Sequence, residues 1–208
     1  MIALSTLLTY AAVVLGLFLI PGPAVLLVLA RATTGGRRVG IATGLGIACG
    51  DLMHTVMATI GLSAVLMTSA LAFSVVKYAG AAYLIYLGVR ALAERTGDLR
   101  VAPARSVGAA VAFRQAILAE LLNPKTALFF LAFLPQFVHP GDGSVTLQLS
   151  VLGLVFAGMS VAYATMIALV AAPLGRWLGR HRAIGRWQGR IVGAIFLGLG
   201  IRLALQER

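Results

Sequence analysis

The sequence predicts an all-α membrane protein: six transmembrane helices built as two inverted three-helix repeats, with the first and fourth helices broken at proline. Three observations carry this expectation. Of 208 residues, 60% are hydrophobic and only 11% charged, with a mean hydropathy of +0.97, against roughly 45–50% apolar and about 25% charged in soluble domains. Six apolar runs follow one another, each long enough for a span of about 20 residues. Two of them, the first and the fourth, carry a proline well inside the run.

The first run, about Leu4 to Ala30, lacks a basic leading region and a small-residue cleavage site, and it outlasts a signal-peptide core. Beyond Arg31, Arg37 and Arg38 the second run goes from about Val39 to Ser69, and the third from about Phe73 to Ala93 after a short turn. A hydrophilic stretch, about Glu94 to Arg114, is the one linker. The fourth run covers Gln115 to Val138, the fifth Val145 to Pro173 and the sixth Trp187 to Leu205, with turn signals at His139 to Gly143 and an arginine-rich connector at 176 to 190. The whole chain, 1–208, reads as a single transmembrane domain, with repeat one at 1–93, a linker at 94–114 and repeat two at 115–208.

Charge placement fixes the orientation. Of the 17 basic residues, three lie in the first loop, five in the third and five in the fifth, and short positive loops stay on the cytoplasmic side. Both termini are then expected outside. The net charge of +11 is read as topology charge near anionic lipid rather than a nucleic-acid surface, because no aromatic residues interleave with the arginines. The single Cys49 excludes a structural disulfide, a paired-thiol redox site and a thiolate zinc site.

The prolines recur in order. Ile20-Pro21-Gly22-Pro23 and Leu122-Asn123-Pro124-Lys125 place Pro21 and Pro124 103 residues apart, and weaker echoes link Lys77–Gly80 with Arg186–Gly189. Three spans per half would force the second half through the membrane upside down. Proline removes a helix hydrogen bond, and broken backbone survives in lipid only where it is buried or lines a cavity, so matching interruptions in inverted halves point to a midplane site. Two ordinary proline kinks are the plainer alternative.

Buried polar groups supply the candidate chemistry, since a charge at the bilayer centre costs about 2.5–3.5 kcal/mol even on lenient scales. Asp51 stands in the second run with His54 one turn on, where a carboxylate and an imidazole can share a proton. Glu120 and Lys125 flank the Asn123-Pro124 interruption. They do not face each other on a regular helix, but unwinding there would let them meet. Desolvation favours the neutral form of a buried carboxyl, the property a proton-coupled carrier needs. An Asp51–Lys125 salt bridge is the structural alternative. Glycines four apart, Gly40/Gly44, Gly46/Gly50 and Gly189/Gly193, allow helices to approach closely. Hydrolase, kinase and metalloprotease signatures are absent, which argues against an enzyme and against a metal cofactor.

With these residues in view, the chain resembles the lysine exporter (LysE) superfamily, most closely its homoserine and threonine efflux (RhtB) branch. The resemblance rests on Pro21-Gly22-Pro23, on GLGIACGDLMH from Gly44 to His54, on KYAGAAYLIYLGVRAL from Lys77 to Leu92, and on NPKTALFFLAFLPQF from Asn123 to Phe137. It implies export of amino acids or close derivatives across the bacterial inner membrane by proton antiport, without a cofactor. On that reading, Pro21, Gly22, Pro23, Asn123, Pro124 and Lys125 hold the substrate, and Asp51, His54 and Glu120 couple protons. The partners are an amino acid, protons and lipid, and no nucleic acid; a homo-oligomer is left open. A passive small-solute channel and an intramembrane enzyme are the rival readings.

Overall fold

The computed structural model describes residues 2–19, 22–68 and 107–180 continuously, with single positions between 74 and 93 and between 194 and 205; for 62–68 and 172–180 it describes the backbone alone. All regular structure among the described residues is helical.

Helix α1 spans Leu4–Leu19 and buries Tyr10, Val14 and Leu17. The chain then leaves the helix and resumes at Pro23. Gly22 is non-helical, and its carbonyl accepts from Leu26 N at 3.0 Å, which makes it the residue preceding the first turn. Proline suits the first helical position, where its missing N–H would have had no partner. The first span is therefore interrupted as expected, although the helix-starting proline is Pro23; Pro21 itself lies outside the described residues.

Helix α2, Pro23–Thr68, holds 46 residues, about 69 Å if straight and more than twice the roughly 30 Å of a hydrocarbon core. It is not straight. Gly36 has φ 80° and ψ 176°, a conformation only glycine adopts cheaply. A Cβ on Gly40 would stand 3.1 Å from Ala32 Cα, whereas eight residues of continuous helix would separate them by about 12 Å. The chain turns back on itself at Gly36, so α2 is a hairpin of two limbs. The loop expected around Arg31 to Arg38 shrinks to this one residue.

The second limb of α2 packs on both α3 (Ala109–Leu121) and the long α5 (Val145–Arg180). The paired glycines make this possible, one pair for each neighbour. Cβ atoms on Gly40 and Gly44 would lie 3.0 and 2.6 Å from the Cβ atoms of Ala168 and Ala164 on α5. Gly46 is pressed against the Phe113 carbonyl oxygen and Gly50 against Glu120, both on α3. Gly189 and Gly193 lie outside the described residues.

After α3 comes the second interruption. α4 covers Pro124–Leu128, passes into a π-helical turn at Phe129–Phe133 and ends in a 3₁₀ turn at Leu134–Phe137. The two arms meet at 47°. A second 3₁₀ turn, Pro140–Asp142, and Gly143 at φ 123° follow. Gln148 clamps this corner, accepting from His139 N and donating to the carbonyls of His139 and Gly143. The hydrophilic linker ends earlier than expected, since α3 already starts at Ala109, and α5 runs past Pro173 into the arginine-rich connector. Most of the third and sixth runs lies outside the described residues.

By length and composition, helix able to cross a membrane occurs among the described residues in Pro23–Gly61, which the turn at Gly36 divides into two limbs, in Val145–Ala171, and in the bent pair Ala109–Leu121 with Pro124–Phe137. Many large apolar side chains face outward, Ile60 and Leu122 each more than 70% exposed, which suits a lipid surround rather than water. Two apolar clusters divide the interior. One joins Tyr10, Val14 and Leu17 to Ala58 and the phenylalanines of the π turn; the other joins Val28, Leu29 and Ala32 to Ile47 and Ala164.

Candidate functional site

Between the two clusters lies a cavity with about 50 Å³ of room for the centres of water-sized molecules, several times the roughly 10–15 Å³ that one water needs. Both interruptions open onto it. Leu17, Phe18, Gly22 and Ala24 line it from the first, Asn123, Lys125 and Thr126 from the second. Asp51 comes from α2, Glu120 from the end of α3, and Phe156, Ser160 and Tyr163 from α5.

The local sequence sets the second break. The residue before a proline is pushed out of helical conformation, and Asn123 has φ −78° and ψ 107°. Its side chain caps the new helix, Oδ1 accepting from Lys125 N at 3.1 Å. Its amide reaches back, Nδ2 donating to both Glu120 carboxyl oxygens at 3.2 Å. The Thr126 hydroxyl donates to Glu120 Oε1 as well. Glu120 is thus held by donors from beyond the break and is 2% exposed. The break puts Glu120 and Lys125 on the wall of one cavity, where Asn123 and Thr126 bond the Glu120 carboxyl.

Lys125 ties the two interruptions to each other. Its Nζ donates to the Leu17 carbonyl at 2.9 Å, one of the last α1 carbonyls that a broken helix leaves unsatisfied. A Cβ on Gly22 would stand 3.3 Å from Lys125 Cδ and Nζ, so only glycine lets the lysine stem pass freely. Pro23, exposed, starts the half-helix beside it.

Asp51 and His54 do not form the expected pair. His54 Nε2 lies 3.1 Å from the Glu120 backbone carbonyl, and its ring stacks on Phe130 at 5.7 Å. Asp51, 1% exposed, lines the cavity together with Ser160 of α5, and its Oδ2 has no hydrogen-bond partner among the described residues. The i to i+3 spacing puts the two residues on neighbouring faces, so His54 meets α3 while Asp51 lines the cavity. The Asp51–Lys125 bridge yields to the same competition, with Lys125 drawn to Leu17.

Sequence reasoning missed three contributors: Ser160, Tyr163 and Phe18. Ser160 was findable as a polar position inside the apolar fifth run; the aromatic pair, stacked at 5.6 Å, carries no such signal. Among the described residues no three His, Cys, Asp or Glu side chains gather into a set that could hold a metal ion.

Residues 15–207 match the LysE type translocator profile. The chain belongs to the LysE type translocator family. It is a translocator of the multi-pass membrane type rather than an enzyme. A Pseudomonas aeruginosa protein described as an uncharacterized membrane protein is 34% identical, covering 94% of this chain and 93% of its own. The Bacillus subtilis membrane protein YrhP is 30% identical over 97% of this chain and 100% of its own length. The leucine efflux protein of Salmonella typhimurium is 28% identical over 94% and 93%. No solved structure matches the chain significantly.

Proposed function

We propose that this translocator exports neutral amino acids or close derivatives across the bacterial inner membrane by antiport against protons, in the manner of the RhtB branch. The observation that carries this reading is the cavity between two interrupted helices, lined by Asp51, Glu120 and Lys125 within apolar walls. The relatives named leucine efflux proteins support an amino acid as substrate. The proposed architecture is six spans in two inverted repeats, 1–93 and 115–208 joined by the cytoplasmic linker 94–114, with both termini periplasmic. Gly22-Pro23 and Asn123-Pro124, each starting a helix beside the cavity, support that symmetry.

In this mechanism the substrate carboxylate meets Lys125 and the amides of the half-helix beginning at Pro23, where the helix dipole favours negative charge. The substrate ammonium meets Asp51, whose Oδ2 is the available acceptor. A proton arriving from outside neutralises Asp51, ends its attraction for the ammonium and releases the substrate; Glu120 compensates Lys125 throughout. His54 acts on Asp51 only indirectly, through the Glu120 segment it holds. Rocking of one repeat against the other, along the glycine contacts, alternates access.

Purified protein in liposomes tests this. Counterflow of labelled leucine, threonine or homoserine supports a carrier for neutral amino acids, whereas leak without trans-stimulation identifies a pore. Asp51→Asn is expected to abolish net proton-driven efflux and retain exchange.

A further inference from the structure

The cavity wall changes character along its length. At the level of the breaks it is polar, with Asp51, Glu120, Asn123, Lys125, Thr126 and Ser160. Beyond them it continues as a floor of aliphatic side chains: Val28 from the first limb of α2, Ile47 from the second, and Ala164 and Ile167 from α5. These four belong to one buried cluster. Ile47 precedes Asp51 by one helical turn, about 6 Å, and Val28 follows Gly22 by six residues, about 9 Å. Both steps lead towards the turn at Gly36. The α5 residues follow the same direction, because Gly40 packs on Ala168 and Gly44 on Ala164, so higher numbers on α5 lie nearer that turn. Three helical segments thus carry the wall from the charges to one apolar end.

The aromatic wall on the other side is already engaged. Phe18 meets Phe156 edge to face at 5.1 Å and stacks on Tyr163 at 5.6 Å. The buried side chains of the aliphatic cluster carry no polar atom, and helix-interior amides and carbonyls are bonded within their own helices. A hydroxyl carried onto this floor gives up water and gains no partner, which costs free energy. An alkyl group carried there leaves water at a gain.

We infer that Val28, Ile47 and Ile167 form the subsite for the substrate's side chain, and that it selects aliphatic amino acids over hydroxylated ones of the same shape. This deepens the export reading above and rests on it. With the substrate carboxylate at Lys125 and its ammonium at Asp51, the remaining substituent of the α-carbon is directed to the floor. Valine and threonine differ only by a methyl in place of a hydroxyl, so this pair reads the floor's polarity and nothing else. Val28 is the place to change that polarity without changing shape, since threonine has the outline of valine. Thr33, Thr34 and Thr43 on the same helix each donate to the carbonyl four residues back, at 2.9, 2.8 and 2.8 Å. A hydroxyl at position 28 has the Ala24 carbonyl for the same bond, and its oxygen then accepts from a substrate hydroxyl.

Counterflow of labelled valine and of labelled threonine in proteoliposomes tests the assignment. The parent is expected to favour valine by about 10- to 100-fold in kcat/KM, the range an apolar pocket reaches against such an isostere. Val28→Thr should narrow that ratio roughly 3- to 10-fold through a gain for threonine, the scale of one hydrogen bond. Threonine carried by the parent as well as valine overturns the subsite. So does an unmoved ratio in folded Val28→Thr, or an equal loss for both amino acids, which marks Val28 as packing only. Ile47→Val, a milder change that deepens the floor by one methyl, should raise leucine relative to valine, and an unmoved ratio there counts against the floor even if Val28→Thr does not fold. A parent that exchanges no neutral amino acid fails the export reading itself, whereas one that exchanges valine and threonine alike keeps that reading and loses only the subsite.

Discussion

Substitution of Gly50 by alanine tests the close approach on which the site depends. A Cβ there would lie 2.7 Å from Glu120 Cβ and 3.0 Å from Glu120 Cγ, whereas non-bonded carbons settle at about 3.5–4.0 Å. α3 must retreat by about 1 Å. Overpacking of this kind costs about 1–3 kcal/mol. The contact of His54 Nε2 on α2 with the Glu120 carbonyl, 3.1 Å across the same helix pair, would stretch past hydrogen-bond range, which adds about 0.5–1.5 kcal/mol. Gly16→Ala is the matched control: nothing stands within 4 Å of its added Cβ, and alanine in a helix gains about 0.5–1 kcal/mol over glycine. Thermal unfolding of the purified protein in detergent, followed by fluorescence and by retention on size exclusion, reads both. Gly50→Ala should melt earlier and transport more slowly, and Gly16→Ala should melt no earlier than the parent. Equal stability of Gly50→Ala and parent would refute the reasoning.

The other expectations concern the break. Asn123→Ala should lower stability by about 1–2 kcal/mol through the lost cap alone, and further because Glu120 keeps only Thr126 of the two side-chain donors described; a melting temperature no lower than the parent's would contradict the capping role. Lys125→Gln should raise the KM for amino-acid efflux roughly 10- to 100-fold, the scale of a lost hydrogen bond to a charged group, with smaller change in the maximal rate. An unchanged KM would remove Lys125 from substrate binding. Asp51→Asn should retain exchange while losing response to the pH gradient, as transport with and without the gradient will show.

The helical class was legible because lipid leaves the backbone few options: apolar runs without charge become helices. The glycine pairs were legible for the same reason, since small residues four apart have little use but close packing. The interruption at Asn123-Pro124 could be read from the residue types, as a capping side chain before a proline announces a helix start. At the first interruption three residues of the Pro-Gly-Pro segment compete for that part, and the sequence does not say that Pro23 takes it. Pairing of the buried charges was least legible. Asp51 and His54 are neighbours on one helix, but His54 meets the Glu120 carbonyl on α3, while Asp51 turns to the cavity it shares with Ser160 of α5. Local spacing limits which residues can meet; the packing of three helices decides which do.

The central claim is that an amino acid and a proton are exchanged across one cavity between two broken helices. Proteoliposomes holding equal concentrations of a labelled neutral amino acid on both sides, with the outside made acidic, test it most directly. The account predicts uphill movement of the amino acid outward with acidification of the lumen, both lost in Asp51→Asn. Flux that ignores the pH gradient, or uphill efflux that persists in Asp51→Asn, would contradict it.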